Sequence, residues 1–228
     1  MEDIQMVYNE PVGMWKDFLI ISDVHLGKKG VQDVKSTIEI IRNLMKEHKK
    51  SKLLILGDLM ASYSSVDEEA GIFIREISKD YELHIVKGNH DGGIEKYKSF
   101  CTIYGSEGGI IDEIGFFHGH STTAWAKKEI FEKEIILMGH IHPKVVFGKE
   151  YKWAEKVWII AELNKEKIQK KYEDVKLNEK TKIIIFPNFG GGVGTLEYEY
   201  NKQKEAREIF IKDTFQIYLL NGIKVKTR

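Results

Sequence analysis

Six of the eight histidines in this chain, His25, His90, His118, His120, His140 and His142, follow short apolar runs, and so do Asp23, Asp58, Asn89 and Asp91. Imidazole nitrogens with carboxylate or amide oxygens are the donors of mixed nitrogen–oxygen metal spheres of the kind that suit Mn²⁺, Fe or Zn²⁺. Asp23-Val24-His25 sets a carboxylate and an imidazole two residues apart. Read as extended backbone, that spacing points both side chains the same way, where one ion could grip both. His140-Ile141-His142 repeats the arrangement with two imidazoles, after a Gly139 that lets the backbone turn close to the site. Gly57-Asp58 supplies a single carboxylate at a tight bend, placed to bridge two ions, and Gly88-Asn89-His90-Asp91 supplies an amide oxygen, an imidazole and an acid in succession. Any one of these motifs, or His118-Gly119-His120, occurs by chance; the whole set in order, each behind its own apolar run, argues for a metal site.

The elements that must position these groups are legible from patterning. Residues 18–21, 53–56, 84–86 and 135–138 are short apolar runs of the kind that form strands buried on both faces. Residues 34–48 and 66–79 carry apolar side chains at helical spacing, 110–117 suggest a hairpin, and 125–133 a short helix. Further strands are expected at 157–161 and 183–186, separated by a charged stretch over 164–182 that reads as an exposed helix and loop. A terminal hairpin turns at Asn221-Gly222. Strands alternating with helices, followed by strands in succession, predict an α/β domain with a mixed or double sheet. In such folds the loops after the carboxyl ends of parallel strands converge on one crevice.

Composition narrows the classes. The 228 residues (26.4 kDa) suit one domain spanning 1–228, and 42% apolar with 11% aromatic residues argues against a disordered chain. Thirty-five Lys+Arg balance thirty-five Asp+Glu, so no net charge steers the molecule toward nucleic acid or an acidic membrane. Cys101 is the single cysteine, which excludes an intramolecular disulfide and a cysteine-based zinc site. No stretch approaches the roughly 20 apolar residues of a membrane helix, and residues 1–9 do not read as a signal peptide, so a cytoplasmic location is expected.

The motif set, spanning roughly residues 18–143, resembles the signature of calcineurin-like metallophosphoesterases. His25-Leu26-Gly27-Lys28 and Phe186-Pro187-Asn188-Phe189, with glycines behind it, resemble the prokaryotic ICC-like branch, which includes DNA-ligase-associated members. One departure stands out: Leu59-Met60-Ala61 offers no histidine after the Gly-Asp pair, where family members often carry one. The resemblance implies two facing mixed β-sheets flanked by helices, a four-layer sandwich. It implies two divalent ions, with Asp23, His25 and His142 on the first, Asn89, His118 and His140 on the second, and Asp58 between them. Mn²⁺ is the metal expected, with Fe, Zn²⁺ or Ni²⁺ as alternatives. The implied reaction is phosphoester hydrolysis, with water ionised between the metals attacking phosphorus in line. His90 would protonate or stabilise the leaving oxygen, with Asp91 orienting and charging its ring. No covalent intermediate is needed, so neither Ser22 nor Ser121 is a proposed nucleophile.

A phosphodiester is the favoured substrate, because a proton donor helps most with a poor leaving group; DNA is the leading specific substrate only as the resemblance to the ligase-associated branch implies it. A phosphomonoesterase, a small-nucleotide phosphodiesterase and a non-catalytic metal-binding scaffold are the rival readings. His120 is left open between a ligand, a partner of a ligand and a substrate contact. Lys28 could touch a phosphate or simply be exposed, and Trp125 could stack on a base or pack inside. Gly190-Gly191-Gly192 reads as a turn, His48 as a solvated helix end, and His84 as a packed or surface residue of a strand.

Overall fold

Strands whose two faces are both apolar need a cover on each side, and the architecture supplies it. The computed structural model describes residues 4–27, 33–61, 68–120, 126–148, 152–191 and 209–226. One sheet runs β1 (Gln5–Met6), β2 (Gly13–Trp15), β3 (Phe18–Ile21), β4 (Lys52–Ile55), β5 (Glu82–Val86), β6 (Thr102–Tyr104). Within it β3 to β6 are parallel, and β1 and β2 form the antiparallel edge. The second sheet contains β7 (Gly109–Ile111), β8 (Ile114–Phe117), β9 (Ile135–Met138), β10 (Lys144–Phe147), β11 (Trp153–Glu162), β12 (Lys182–Ile185), β13 (Gln216–Leu219) and β14 (Lys224–Val225). Its centre, β8-β9-β12, is parallel and the rest is antiparallel. Both sheets are therefore mixed, as expected.

Residue alternation sorts the apolar side chains into layers. Phe18, Ile20, Leu54, Leu56 and Val86 face Phe116, Leu137, Trp158, Ile184 and Phe186 between the sheets. Their neighbours Leu19, Ile21, Leu53, Ile55 and Ile85 turn outward, against Ile38, Ile41, Phe73 and Ile77 of the helices α1 (Val34–Glu47) and α2 (Glu68–Ile77). On the far side, Ile136, Met138, Ile183 and Ile185 pack under Ile130, Phe131, Ile168 and Phe210. Helices start where the chain can cap them: the Asp33 carboxylate accepts from the N–H groups of Lys35 and Ser36.

Four expectations need correcting. Of the segment 125–133, the described residues 126–133 contribute only a 3₁₀ turn, Lys128–Glu132. β11 is twice the length expected, and its first half pairs with β10, which half-exposed Lys144–Phe147 did not announce. The strands β1, β2 and β6 were also unanticipated; each has two or three residues, too few to show a period. Finally, the charged stretch is not merely exposed: α3 (Lys165–Lys171) buries Ile168, and Val175 follows it inward, while both sit among charged neighbours. Among the described residues no helix is long and apolar enough to cross a membrane.

Candidate metal centre

The parallel strands β3, β4, β5, β8 and β9 all end at one edge of the molecule, and each hands its chain to a motif named above. The segments after β3 and β4 stay zipped together: the N–H groups of Asp23 and His25 donate to the carbonyls of Gly57 and Asp58. Three sets of side-chain donors result, each with its ligand atoms within 4.8 Å of one another: Asp23, His25 and His142; His25, Asp58 and His90; Asp58, His118 and His140. Asn89 lies between β5 and His90 at the same edge, half-buried.

The local backbone differs from the extended reading of the Asp-x-His and His-x-His pairs. Asp23, His25, Asp58, His140 and His142 all have φ between 49° and 68°. These are five of the nine non-glycine residues with positive φ among those described. Aspartate and histidine tolerate this left-handed region better than most side chains, and each such residue still costs roughly 1–3 kcal/mol. The strain has a visible return. With two left-handed residues flanking it, the middle residue, Val24 or Ile141, is driven into the core at 1% and 0% exposure, and both polar neighbours are left at the site. Gly139 is required as expected, since a Cβ there would lie 2.0 Å from Ser22 Oγ.

Hydrogen bonds aim individual atoms. Asp23 Oδ2 accepts from Ser22 Oγ and from the His140 N–H, which leaves Oδ1 directed at the cluster, 2.9 Å from His142 Nε2. His118 Nδ1 meets the Leu56 carbonyl at 2.7 Å, so Nδ1 carries the donated proton and Nε2 faces Asp58 Oδ1 at 3.4 Å. The other Asp58 oxygen, Oδ2, lies 3.9 Å from His25 Nε2 and 3.8 Å from His90 Nε2. His25 and His142 bring their Nε2 atoms to 3.2 Å.

The titration behaviour follows from burial and these neighbours. Burial pushes the Asp23 carboxyl up, but His142, His118 and Ser22 outweigh it and hold it well below the usual carboxylate range. Asp58 is likewise lowered: burial opposes its charge, and His118 with the His90 N–H overcomes this. Burial pushes His25 and His120 down to about 4 and His140 to about 3. His118 goes the other way, to about 9, because Asp58 and Asp23 overcome its burial. The donor set fits a divalent metal. Asp23 Oδ1 and His118 Nε2 are buried with no well-aligned hydrogen bond, although His142 Nε2 and Asp58 Oδ1 lie near them, and they point into the same space 3.9 Å apart, which is where an ion would satisfy both. Together the clusters have the donor types and spacing that suit a divalent metal.

The role expected for Asp91 needs correcting. Its carboxylate is fully buried and accepts from the N–H groups of Met60 and Gly88, at 3.0 and 2.9 Å. The atom beside His90 Nδ1 is instead the Ala61 carbonyl, at 3.1 Å. Asp91 therefore pins the turn that carries Asn89 and His90, while the His90 ring is oriented at Nδ1 by the Ala61 carbonyl. Burial and the Asp58 charge push it up to about 6. His120 lies with its ring 5.3 Å from that of His118, outside the three donor sets, and its buried Nδ1 has no partner. His84 is buried between Tyr104 and Glu82, and His48 closes α1 away from the site. Lys28, Ser121, Trp125 and Gly192 lie outside the described residues.

Local sequence did not point to the Leu56 and Ala61 carbonyls, to Ser22 as a donor, or to Lys156, whose ammonium reaches the carbonyls of 188–190 beside the site. Backbone carbonyls carry no residue-type signal, and Lys156 looks like any other lysine of a strand.

A family model described as calcineurin-like phosphoesterase matches residues 16–192. Among solved structures, the Pseudomonas putida nuclease MPE is similar to 98% of this chain over 100% of its own, with a TM-score of 0.59 and 16% identity. Yfce, a phosphoesterase from E. coli, aligns over 78% of this chain and 82% of its own at a TM-score of 0.41 and 14% identity. A predicted phosphoesterase from Streptococcus pneumoniae aligns over 91% of each chain at 0.38 and 14%. No curated protein matches the chain.

Proposed function

The chain belongs to the calcineurin-like phosphoesterase family of metal-dependent hydrolases, and from that premise we propose that it is a two-metal phosphodiesterase acting on DNA strands. The observation that carries this reading is the placement of Asp58, one oxygen turned to His118 and the other to His25 and His90. A carboxylate so shared is suited to two cations side by side. We assign Asp23, His25 and His142 to one ion, Asn89, His118 and His140 to the other, and Asp58 to both. Mn²⁺ is the metal we propose. Divalent ions in these positions would polarise the phosphoryl oxygens and acidify a water molecule to supply the nucleophile at neutral pH.

The chain's own residues do the rest. Ser22 and the His140 N–H hold the Asp23 carboxylate so that one oxygen is presented. Leu56 fixes the His118 tautomer. His90, when protonated, donates from Nδ1 to Ala61 and presents Nε2–H on the side of Asp58. We assign it the proton for the leaving oxygen, with Asp91 as a positioning residue acting through the backbone. The DNA-directed part rests on the resemblance to the ligase-associated branch and on the fold shared with a nuclease. We read residues 1–228 as one domain of a cytoplasmic protein.

The test is hydrolysis of bis(p-nitrophenyl) phosphate by metal-stripped protein with and without Mn²⁺, beside Asp58→Asn, followed by single- and double-stranded DNA. Turnover restored by Mn²⁺ and absent in the variant is expected, with cleavage of DNA. Two bound metals without diester turnover would transfer the reading to a monoesterase, or to a scaffold if p-nitrophenyl phosphate is inert as well.

A further inference from the structure

Outside the donor sets, one cation is placed where it bears on two of the ligand-carrying segments at once. Lys156, half-buried on β11, donates from Nζ to the carbonyls of Asn188, Phe189 and Gly190 at 2.7, 3.3 and 3.0 Å. Those three consecutive residues form the loop after β12. The same loop faces the first ligand segment with its N–H groups: Phe189 donates to the Ser22 carbonyl at 2.7 Å and Gly190 to the Asp23 carbonyl at 3.1 Å. Contact is close enough that a Cβ on Gly190 would lie 1.9 Å from the Val24 carbonyl oxygen. Lys156 also pairs in register with Lys144, and the next residue, Val157, donates to the carbonyl of Pro143, directly after His142.

We propose that Lys156 is a positioning residue for the metal site: its ammonium gathers the 188–190 carbonyls and so braces the left-handed Asp23–His25 segment against the strand that trails His142. This rests on the reading of those residues as metal ligands. The physical need is specific. Asp23 and His25 both hold positive φ, and such backbone persists only where the surroundings over-determine it. Pairing with Gly57 and Asp58 sets this conformation, and the brace adds to it: by gathering the 188–190 carbonyls, Lys156 holds the Phe189 and Gly190 N–H groups against the Ser22 and Asp23 carbonyls. Burial and the nearby Lys144 push the Lys156 ammonium down to about 8, which still leaves it charged at neutral pH. Arginine would keep the charge and the donors; methionine keeps the length and loses both.

The experiment compares the wild type, Lys156→Met and Lys156→Arg in two ways. Amide hydrogen exchange on the metal-free proteins reads the N–H groups of Phe189 and Gly190, and calorimetry reads Mn²⁺ affinity. In Lys156→Met the two amides are expected to exchange at least about 10-fold faster while β3 and β4 stay protected, and Mn²⁺ affinity is expected to fall about 10- to 100-fold, the range for residues that support ligands. Lys156→Arg should recover most of both. Unchanged exchange at Phe189 and Gly190 in Lys156→Met overturns the proposal. So does a loss of protection spread through β3 and β4, or a failure to fold, since either makes the lysine a general stabiliser. Wild-type protein that takes up no Mn²⁺ would sink the metal-site reading instead, and the exchange measurement would still decide whether the brace exists.

Discussion

Asp58→Asn tests the electrostatic centre of the site, because it removes one charge while keeping the shape and an oxygen for the His90 N–H. Asp58 is 2% exposed and lies 3.4 Å from His118 Nε2. At an effective dielectric constant of about 20, unit charges at that separation attract by roughly 5 kcal/mol. Burial consumes part of this, and the remainder holds His118 at about 9 rather than its ordinary 6.5, a net preference of about 3 kcal/mol for the imidazolium. Without the Asp58 charge the attraction falls below the burial cost, so His118 in the metal-free variant should titrate below 6.5. An NMR titration of the ring protons reads this directly. A His118 still titrating near 9 would refute the reasoning and place the cause on Asp23, 3.9 Å away. With metal added, both ions should bind at least about 100-fold more weakly, since a shared ligand should matter no less than the groups that support ligands.

Other outcomes follow from the same geometry. Because His118 is held protonated to about pH 9 in the metal-free protein, Mn²⁺ binding at pH 7.5 should release about one proton, seen as a dependence of calorimetric heat on buffer ionisation enthalpy; no such dependence would contradict the assignment. Burial lowers His25, His120 and His140 below 6.5, so the unfolded chain takes up their protons first and metal-free stability should rise with pH from about 3 to 6.5. Asp91, raised to about 6, opposes this between 3.8 and 6 as one group against three, and a flat or falling urea-unfolding free energy across that range would count against the burial argument. His90→Ala should keep the metals and slow esters with poor leaving groups most; equal losses for good and poor leaving groups would remove its acid role. Leu54→Ala, opening a cavity between the sheets, should cost about 2–5 kcal/mol in unfolding experiments, whereas His48→Ala should change neither stability nor turnover by a measurable amount.

Sequence alone determined which residues meet and what chemistry they suit. Each motif sits immediately behind a run of apolar residues such as Phe18-Leu19-Ile20-Ile21, and an apolar strand can only be satisfied inside a sheet covered on both sides. Parallel pairing then leaves its polar successor no place except the common edge, so the donor set was readable without any tertiary contact. Backbone conformation was not. The extended reading of Asp23-Val24-His25 fails because pairing with Gly57 and Asp58 and the burial of Val24 force left-handed residues on either side, a demand made by long-range partners.

The same limit explains Asp91 and Lys156. Asp91 has the sequence position of a partner for His90, but its oxygens are claimed by Met60 and Gly88 N–H groups that approach only in the folded chain. Lys156 is one lysine among many until β11 carries it to the carbonyls of 188–190, more than thirty residues away. Side-chain identity is a local property and can be read locally. Which atom of a carboxylate or ammonium is already occupied depends on backbone groups brought from elsewhere, and only the tertiary structure decides that.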